Sequence, residues 1–198
     1  MVRRYFNERA SIWDANIAEK DENKLEQMAG RLNVNPGSIL LDVGTGTGVF
    51  LPFLLSKIGK SGRLVALDFA EKMLRKARAK GFGGNIDYLQ ANVENIPLPD
   101  ETFDIITCYS SFPHFQDKPE ALREMKRVLK SGGRLLVCHT SSRAEINEIH
   151  RQTTIVKDDI LPDTAEMQSL LLAAGFNEII IEDNKDSYLA SAEKPKVT

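Results

Sequence analysis

Cysteine, tryptophan and histidine are scarce in this chain: two, one and three among 198 residues. Cys108 and Cys138 both fall in apolar stretches that read as strands, which excludes a disulfide scaffold and marks both thiols as buried. An excess of one charge is lacking as well. Twenty-six basic residues face 28 acidic ones, leaving a formal charge of -2 with no long block of like sign, so nothing points to nucleic acid or an anionic membrane as partner. No apolar run approaches a membrane span, and the opening Met-Val-Arg-Arg leads into Tyr5, Asn7, Glu8 and Arg9 and not into an apolar segment. The expectation is a cytoplasmic protein. Its length fits one domain, 1–198, with an N-terminal helical cap over 1–34 and an α/β core over 35–198.

What is present is concentrated at residues 40–48, Leu-Leu-Asp-Val-Gly-Thr-Gly-Thr-Gly. Ile39, Leu40, Leu41 and Val43 form a short apolar run suited to a parallel strand covered on both faces. Gly44, Gly46 and Gly48 then allow a tight turn and a close backbone approach to a ligand. A dinucleotide fingerprint, G-x-G-x-x-G, would need its third glycine at Val49, and Asp42 would repel a pyrophosphate. A nicotinamide oxidoreductase is therefore disfavoured, and a ligand carrying an amino group is favoured. Asp68 ends the next apolar run, Leu64 to Leu67, where a carboxylate can accept both hydroxyls of an unmodified ribose. The ligand so described is a nucleoside with no phosphate requirement.

The ordered motifs resemble those of the class I S-adenosylmethionine-dependent methyltransferases. Asp42 to Gly48 is similar to the family's first motif, and Leu67-Asp68-Phe69 with Glu71 to Leu74 to its second. Residues 91–99, Ala-Asn-Val-Glu-Asn-Ile-Pro-Leu-Pro, are similar to the third, and Phe103 to Ile106 with Arg127 to Leu135 to the fourth and fifth. The resemblance, strongest to the small-molecule type that includes ubiquinone and menaquinone biosynthesis enzymes, spans roughly residues 5–190. It implies a Rossmann-like, seven-stranded sheet with the last strand antiparallel, and S-adenosylmethionine as cofactor. The cofactor residues it implies are Asp42, Gly44, Thr45, Gly46 and Gly48 in the first motif, Asp68, Phe69 and Met73 in the second, Asn92 and Val93 in the third, and Tyr109 at the end of the fourth strand. Relatives often carry Asp where Asn92 stands, and the Asn carbonyl can accept the same hydrogen bond from an adenine amine. The partner implied is a small-molecule methyl acceptor. A cofactor-binding regulatory protein without turnover is the alternative from another class.

Elsewhere the periodicity supports the same architecture. Leu25, Met28, Ala29 and Leu32 define a helix face before the glycines. Glu71–Lys80, a segment starting at Pro119 and running to Gly132-Gly133, and Glu166–Ala174 read as helices between strands at 86–89, 103–109 and 134–138, and the chain closes in an antiparallel pair at 176–182 and 187–192. Alternating strands and helices give a three-layer α/β/α sandwich, and the stretch Thr140 to Pro162 is a candidate acceptor lid. The Asn/Asp-Pro-Pro-Tyr signature of enzymes that methylate amino groups of nucleic-acid bases or glutamine is absent after the fourth strand, where the chain reads Ser110-Ser111-Phe112-Pro113-His114. His114 and His139 follow neighbouring strands, which makes them candidate catalytic bases, and with His150 they form a candidate metal set at one rim of the sheet.

Overall fold

The computed structural model describes residues 2–16 and 21–196; residues 1, 17–20 and 197–198, which the expected domain 1–198 includes, lie outside the described residues. Seven strands form one sheet: β1 (Ile39–Val43), β2 (Arg63–Asp68), β3 (Ile86–Gln90), β4 (Phe103–Tyr109), β5 (Leu129–His139), β6 (Asn177–Asp183) and β7 (Tyr188–Glu193), in the order β3-β2-β1-β4-β5-β7-β6. β1 to β5 are parallel, and β7 runs antiparallel to both β5 and β6. The strand order reverses between β1 and β4, the place where open parallel sheets take ligands beyond their carboxyl ends.

The alternation of side chains along the central strands divides the core into two layers. Leu40, Leu64, Ile105 and Leu136 point to the face covered by α3 (Glu22–Arg31) and α4 (Leu51–Ile58). Leu41, Val65, Ile106 and Leu135 point to the opposite face, covered by α6 (Lys118–Val128) and α8 (Thr164–Ala173). The helices begin where the sequence supplies a cap. The Asp117 carboxylate accepts from Glu120 N with Pro119 in the first turn of α6, and Asp163 accepts from Glu166 N at the start of α8. α5 (Glu71–Ala79) follows β2, and α7 (Arg143–Arg151) follows β5.

One boundary differs from the sequence expectation. Gly132 and Gly133 do not end a helix: α6 stops at Val128, Leu129 has already turned extended at ψ 140°, and β5 runs through both glycines. Gly132 sits at φ 75° beside a register irregularity opposite Phe103 and Ile105, so the glycines serve a kink inside a long strand and not a helix terminus.

The N-terminal helices α1 (Val2–Arg9) and α2 (Trp13–Asn16) build a separate small cluster. Tyr5, Phe6 and Ala10 pack with Ala70 and Met73 of the α5 region and with Val156, which returns from α7. Polar ties complete the attachment: Asn7 donates to Glu71 at 2.8 Å and accepts from Lys72 N at 2.9 Å, and Arg3 pairs with Glu71 at 3.0 Å.

Candidate functional site

Beyond the carboxyl ends of β1, β2 and β4 lies a cavity of about 470 Å³, floored by the strand ends and roofed by α1, α2 and α7. Its floor is set by backbone hydrogen bonding. Gly44 N and Thr45 N both donate to Leu67 O, and Gly46 N donates to Asp68 Oδ2 at 2.8 Å while Ala70 N donates to its Oδ1 at 2.8 Å. Asp68 thus fastens the glycine turn to the end of β2 through Oδ2, while Oδ1 holds the chain that follows β2.

The three glycines have different reasons to be glycine. All have positive φ, but a Cβ on Gly44 would lie 2.4 Å from Ser111 Cβ, and one on Gly48 would lie 2.8 Å from Leu51 Cδ1. Those two are closed by the protein itself, whereas a Cβ on Gly46 would meet nothing within 4 Å. Only there does the missing side chain leave room for a ligand against the backbone. Ser111, whose Oγ donates to Val43 O at 2.7 Å, is the residue that seals the turn from below.

Of the residues implied for the cofactor, Gly44, Thr45, Gly46, Asp68, Phe69, Met73, Asn92, Val93 and Tyr109 line the cavity. Asp42 and Gly48 do not: Gly48 is packed behind the turn, and Asp42 is buried beneath the floor, its Oδ1 accepting from Thr107 Oγ1 at 2.7 Å. Burial pushes the carboxyl of Asp42 up to about 6, against the lowering effect of Thr107 and Thr45. Burial also pushes Asp68 up to about 6; the N–H groups of Ala70 and Gly46 oppose that rise and the charge of Asp42 adds to it. Two neighbouring buried carboxylates with raised pKa values make a floor that favours a cationic ligand, which would compensate their desolvation.

The histidines are placed differently from the sequence expectation. His114, on a 3-10 turn (Phe112–His114), and His150, in the last turn of α7, both line the cavity with ring centroids 4.8 Å apart. His139 does not. It is 1% exposed at the end of β5, paired in register with Tyr188 of β7 and in edge contact with its ring at 6.4 Å. The addition of β7 beside β5 turns that strand end into core, so the expectation of His139 as a catalytic base is corrected. The three-histidine metal set falls with it, and among the described residues no group of three or more His, Cys, Asp or Glu side chains is arranged to hold a metal ion.

The partner of His114 is a residue that the sequence reading did not single out. Asp159 Oδ2 lies 2.8 Å from His114 Nδ1, and Asp159 O accepts from His150 Nδ1. The segment that follows Asp159 is tied to α7 by Asn147, which is 3% exposed and clasps Leu161 by both backbone groups, at 2.8 and 3.1 Å. α7 itself starts with a capping box formed by Ser142 and Glu145. Asn147 and His150, three residues apart on one helix, were the available signal, because that spacing puts both on one face. The turn that carries His114 is equally fixed: Lys118 Nζ donates to Pro113 O at 2.9 Å and to Phe115 O at 3.2 Å.

A parallel sheet with a glycine turn after β1, an acidic end to β2 and an antiparallel β7 defines a class of nucleoside-binding α/β protein, and comparison with known proteins gives that class its family. A methyltransferase domain family matches residues 41–137. The ubiquinone/menaquinone biosynthesis C-methyltransferase UbiE of Enterobacter sp. (strain 638) is 39% identical over 138 residues, which are 68% of this chain and 55% of that protein. The chain spans about half the length of the curated relatives it matches. Among solved structures, a SAM-dependent methyltransferase from Aquifex aeolicus superposes with a TM-score of 0.71 at 26% identity, covering 88% of this chain and 94% of that one. A Haloferax volcanii structure, described as a complex between the Trm112 methyltransferase activator and a methyltransferase, superposes with a TM-score of 0.82 at 21% identity over 100% and 99% of the two chains, a likeness of fold. The chain belongs to the class I S-adenosylmethionine-dependent methyltransferases. No helix among the described residues is long and apolar enough to cross a membrane.

Proposed function

We propose that this protein transfers a methyl group from S-adenosylmethionine to a small-molecule acceptor bound under the helical roof. The observation that carries the reading is the continuity of one cavity from Gly46 and Asp68 at the strand ends to His114 and His150 under α1. The donor, when bound, supplies a methyl group on a positively charged sulfonium. Asp68 accepts the ribose hydroxyls with the lone pairs left free by Gly46 and Ala70, and Phe69, Asn92 and Val93 receive the adenine. The open face of Gly46 takes the amino acid moiety, and Asp42 contributes from beneath as a buried negative charge. Methyl transfer from an activated donor depends chiefly on holding the two reactants in line, worth about 7 to 11 kcal/mol when the geometry is right. His114 then receives the proton of an acceptor that starts protonated.

Time-dependent formation of S-adenosylhomocysteine from S-adenosylmethionine, with phenols, quinols, thiols and amines added as separate acceptor pools, tests the reading. One pool should support turnover. Cofactor binding without turnover in any pool would favour a regulatory cofactor-binding protein instead, and tighter binding of a nicotinamide dinucleotide than of S-adenosylhomocysteine would overturn the assignment.

A further inference from the structure

Resting on that reading, we infer that the acceptor is a molecule presenting two neighbouring hydrogen-bond donors, gripped together by Nε2 of His114 and Nε2 of His150, with Asp159 as the positioning residue for both rings. The argument begins with tautomers. Asp159 O is a carbonyl and can only accept, so His150 carries its proton on Nδ1. The Asp159 carboxylate likewise accepts from His114 Nδ1. A neutral imidazole with Nδ1 protonated presents a lone pair at Nε2. One residue thereby converts two histidines, whose rings lie 4.8 Å apart on the cavity wall, into a matched pair of acceptors.

The rings are held in that attitude. Phe6 meets His114 edge-on at 5.0 Å, the 3-10 turn beneath His114 is braced by Lys118, and the Asn147–Leu161 clasp fixes the segment that carries Asp159. The same cavity is lined by the apolar side chains of Phe6, Trp13, Ile146, Ile149 and Val156 as well as by Asp68 and Glu94. Arg9 lines the cavity too, with its guanidinium over the Tyr5 ring at 4.3 Å.

The pair is not symmetric, and the asymmetry assigns the proton. His114 has a carboxylate oxygen 2.8 Å from its Nδ1, whereas His150 has only a carbonyl there, and burial together with His114 lowers the pKa of His150. The acceptor's X–H bond nearest the sulfonium therefore breaks toward His114. The proton goes to Nε2, the electron pair left on X forms the new X–C bond, and the C–S pair returns to sulfur. The second donor stays intact and keeps its hydrogen bond to His150, which orients the first.

The test uses catechol as a probe with two adjacent donors, phenol with one, and 1,2-dimethoxybenzene with none, each titrated into the full chain saturated with S-adenosylhomocysteine. Catechol should bind about tenfold more tightly than phenol, the order expected for one additional hydrogen bond, and dimethoxybenzene should bind more weakly than phenol. His150→Phe should bring catechol to the level of phenol. Long-range proton–nitrogen spectra of the wild-type protein at pH 8 provide a check that needs no variant: both rings should be Nδ1–H tautomers, and an Nε2–H form of either overturns the inference. If S-adenosylhomocysteine binds but catechol gains nothing over phenol, or if its advantage survives His150→Phe, this inference alone is overturned. If S-adenosylhomocysteine does not bind, the methyl-transfer reading falls and this inference falls with it.

Discussion

The floor and the roof of the cavity are built on different principles. The floor is backbone: the turn at Gly44 to Gly48 is hydrogen-bonded to the end of β2, sealed by Ser111 and continuous with two fully buried core layers. The roof is side chain. α1 and α2 rest on a small satellite cluster and on exposed polar ties to α5, and the return from α7 hangs on Asn147, His150 and Asp159. A wall made of backbone and core can open only with the whole domain, whereas a wall made of a few side chains can open by itself. The difference suits a site that must hold one ligand in a fixed attitude while admitting another.

The sharpest way to break this comparison is within the floor, by adding side chains at two glycines two residues apart. Gly44→Ala forces a Cβ into Ser111 and an L side chain into a left-handed conformation. It should destabilise the fold by about 2 to 5 kcal/mol, the sum of overpacking and backbone strain. Gly46→Val should cost only about 1 to 2 kcal/mol of strain, because nothing lies within 4 Å of its Cβ. It should nonetheless abolish binding of S-adenosylhomocysteine in calorimetry. Equal stability losses in urea titrations would show that the two glycines serve the same purpose after all.

Next in size is the electrostatic cost of the floor. Asp42 is raised from 3.8 in the unfolded chain to about 6, so the native state binds the proton more tightly and stability falls as pH rises from about 4 to above 6. Near pH 7 this penalty is on the order of 3 kcal/mol. Asp42→Asn should therefore be more stable than wild type at pH 7 without ligand, and the advantage should shrink steadily toward pH 4.5. A difference between the two proteins that does not vary with pH would remove Asp42 as the source. The roof's carboxylate behaves in the opposite sense. Glu71 is lowered to about 2 by Asn7, its own backbone N–H and Arg3, so the stability it contributes is present above about pH 4.5 and lost only as pH falls toward 2.

The smallest effect is expected in the roof. Phe6→Ala would cost about 3 to 5 kcal/mol in a main core, but Phe6 belongs to a small cluster separate from the two main layers. A loss of about 1 kcal/mol in global stability is expected, with much faster amide exchange confined to α1 and the first turn of α5. Uniformly faster exchange across β1 and β4 would mean that the roof and floor form one cooperative unit.

The same contrast explains what the sequence disclosed. The floor was legible because its demands are local: a positive φ needs glycine, a parallel strand buried on two faces needs a continuous apolar run, and both leave their mark on adjacent residues. Even so, glycines that avoid Ser111 and Leu51 looked the same as the one that faces the cavity, since the collision partners come from distant segments. For the roof, a helical cap and a lid segment could be expected from the sequence, but their contacts could not. Whether His139 faced ligand or core depended on β7 coming to lie beside β5, and the partnership of His114 with Asp159 depends on an irregular return segment 45 residues away. No periodicity announces such contacts. Gly132 and Gly133 misled in a related way, because a pair of glycines after a basic helical turn is equally compatible with a helix end and with a kinked strand.

The position of the α7 segment also bears on how such a protein can diversify. Residues 140–163 leave the sheet after β5 and rejoin the core at α8, so they form a detour between two fixed points. Within the detour, the clasp of Asn147 on Leu161 ties the outgoing helix α7 to the return segment. Such a segment can be exchanged as a cassette. A replacement that kept the two anchor points and its own internal clasp would install a new set of acceptor contacts while leaving the donor half of the cavity untouched.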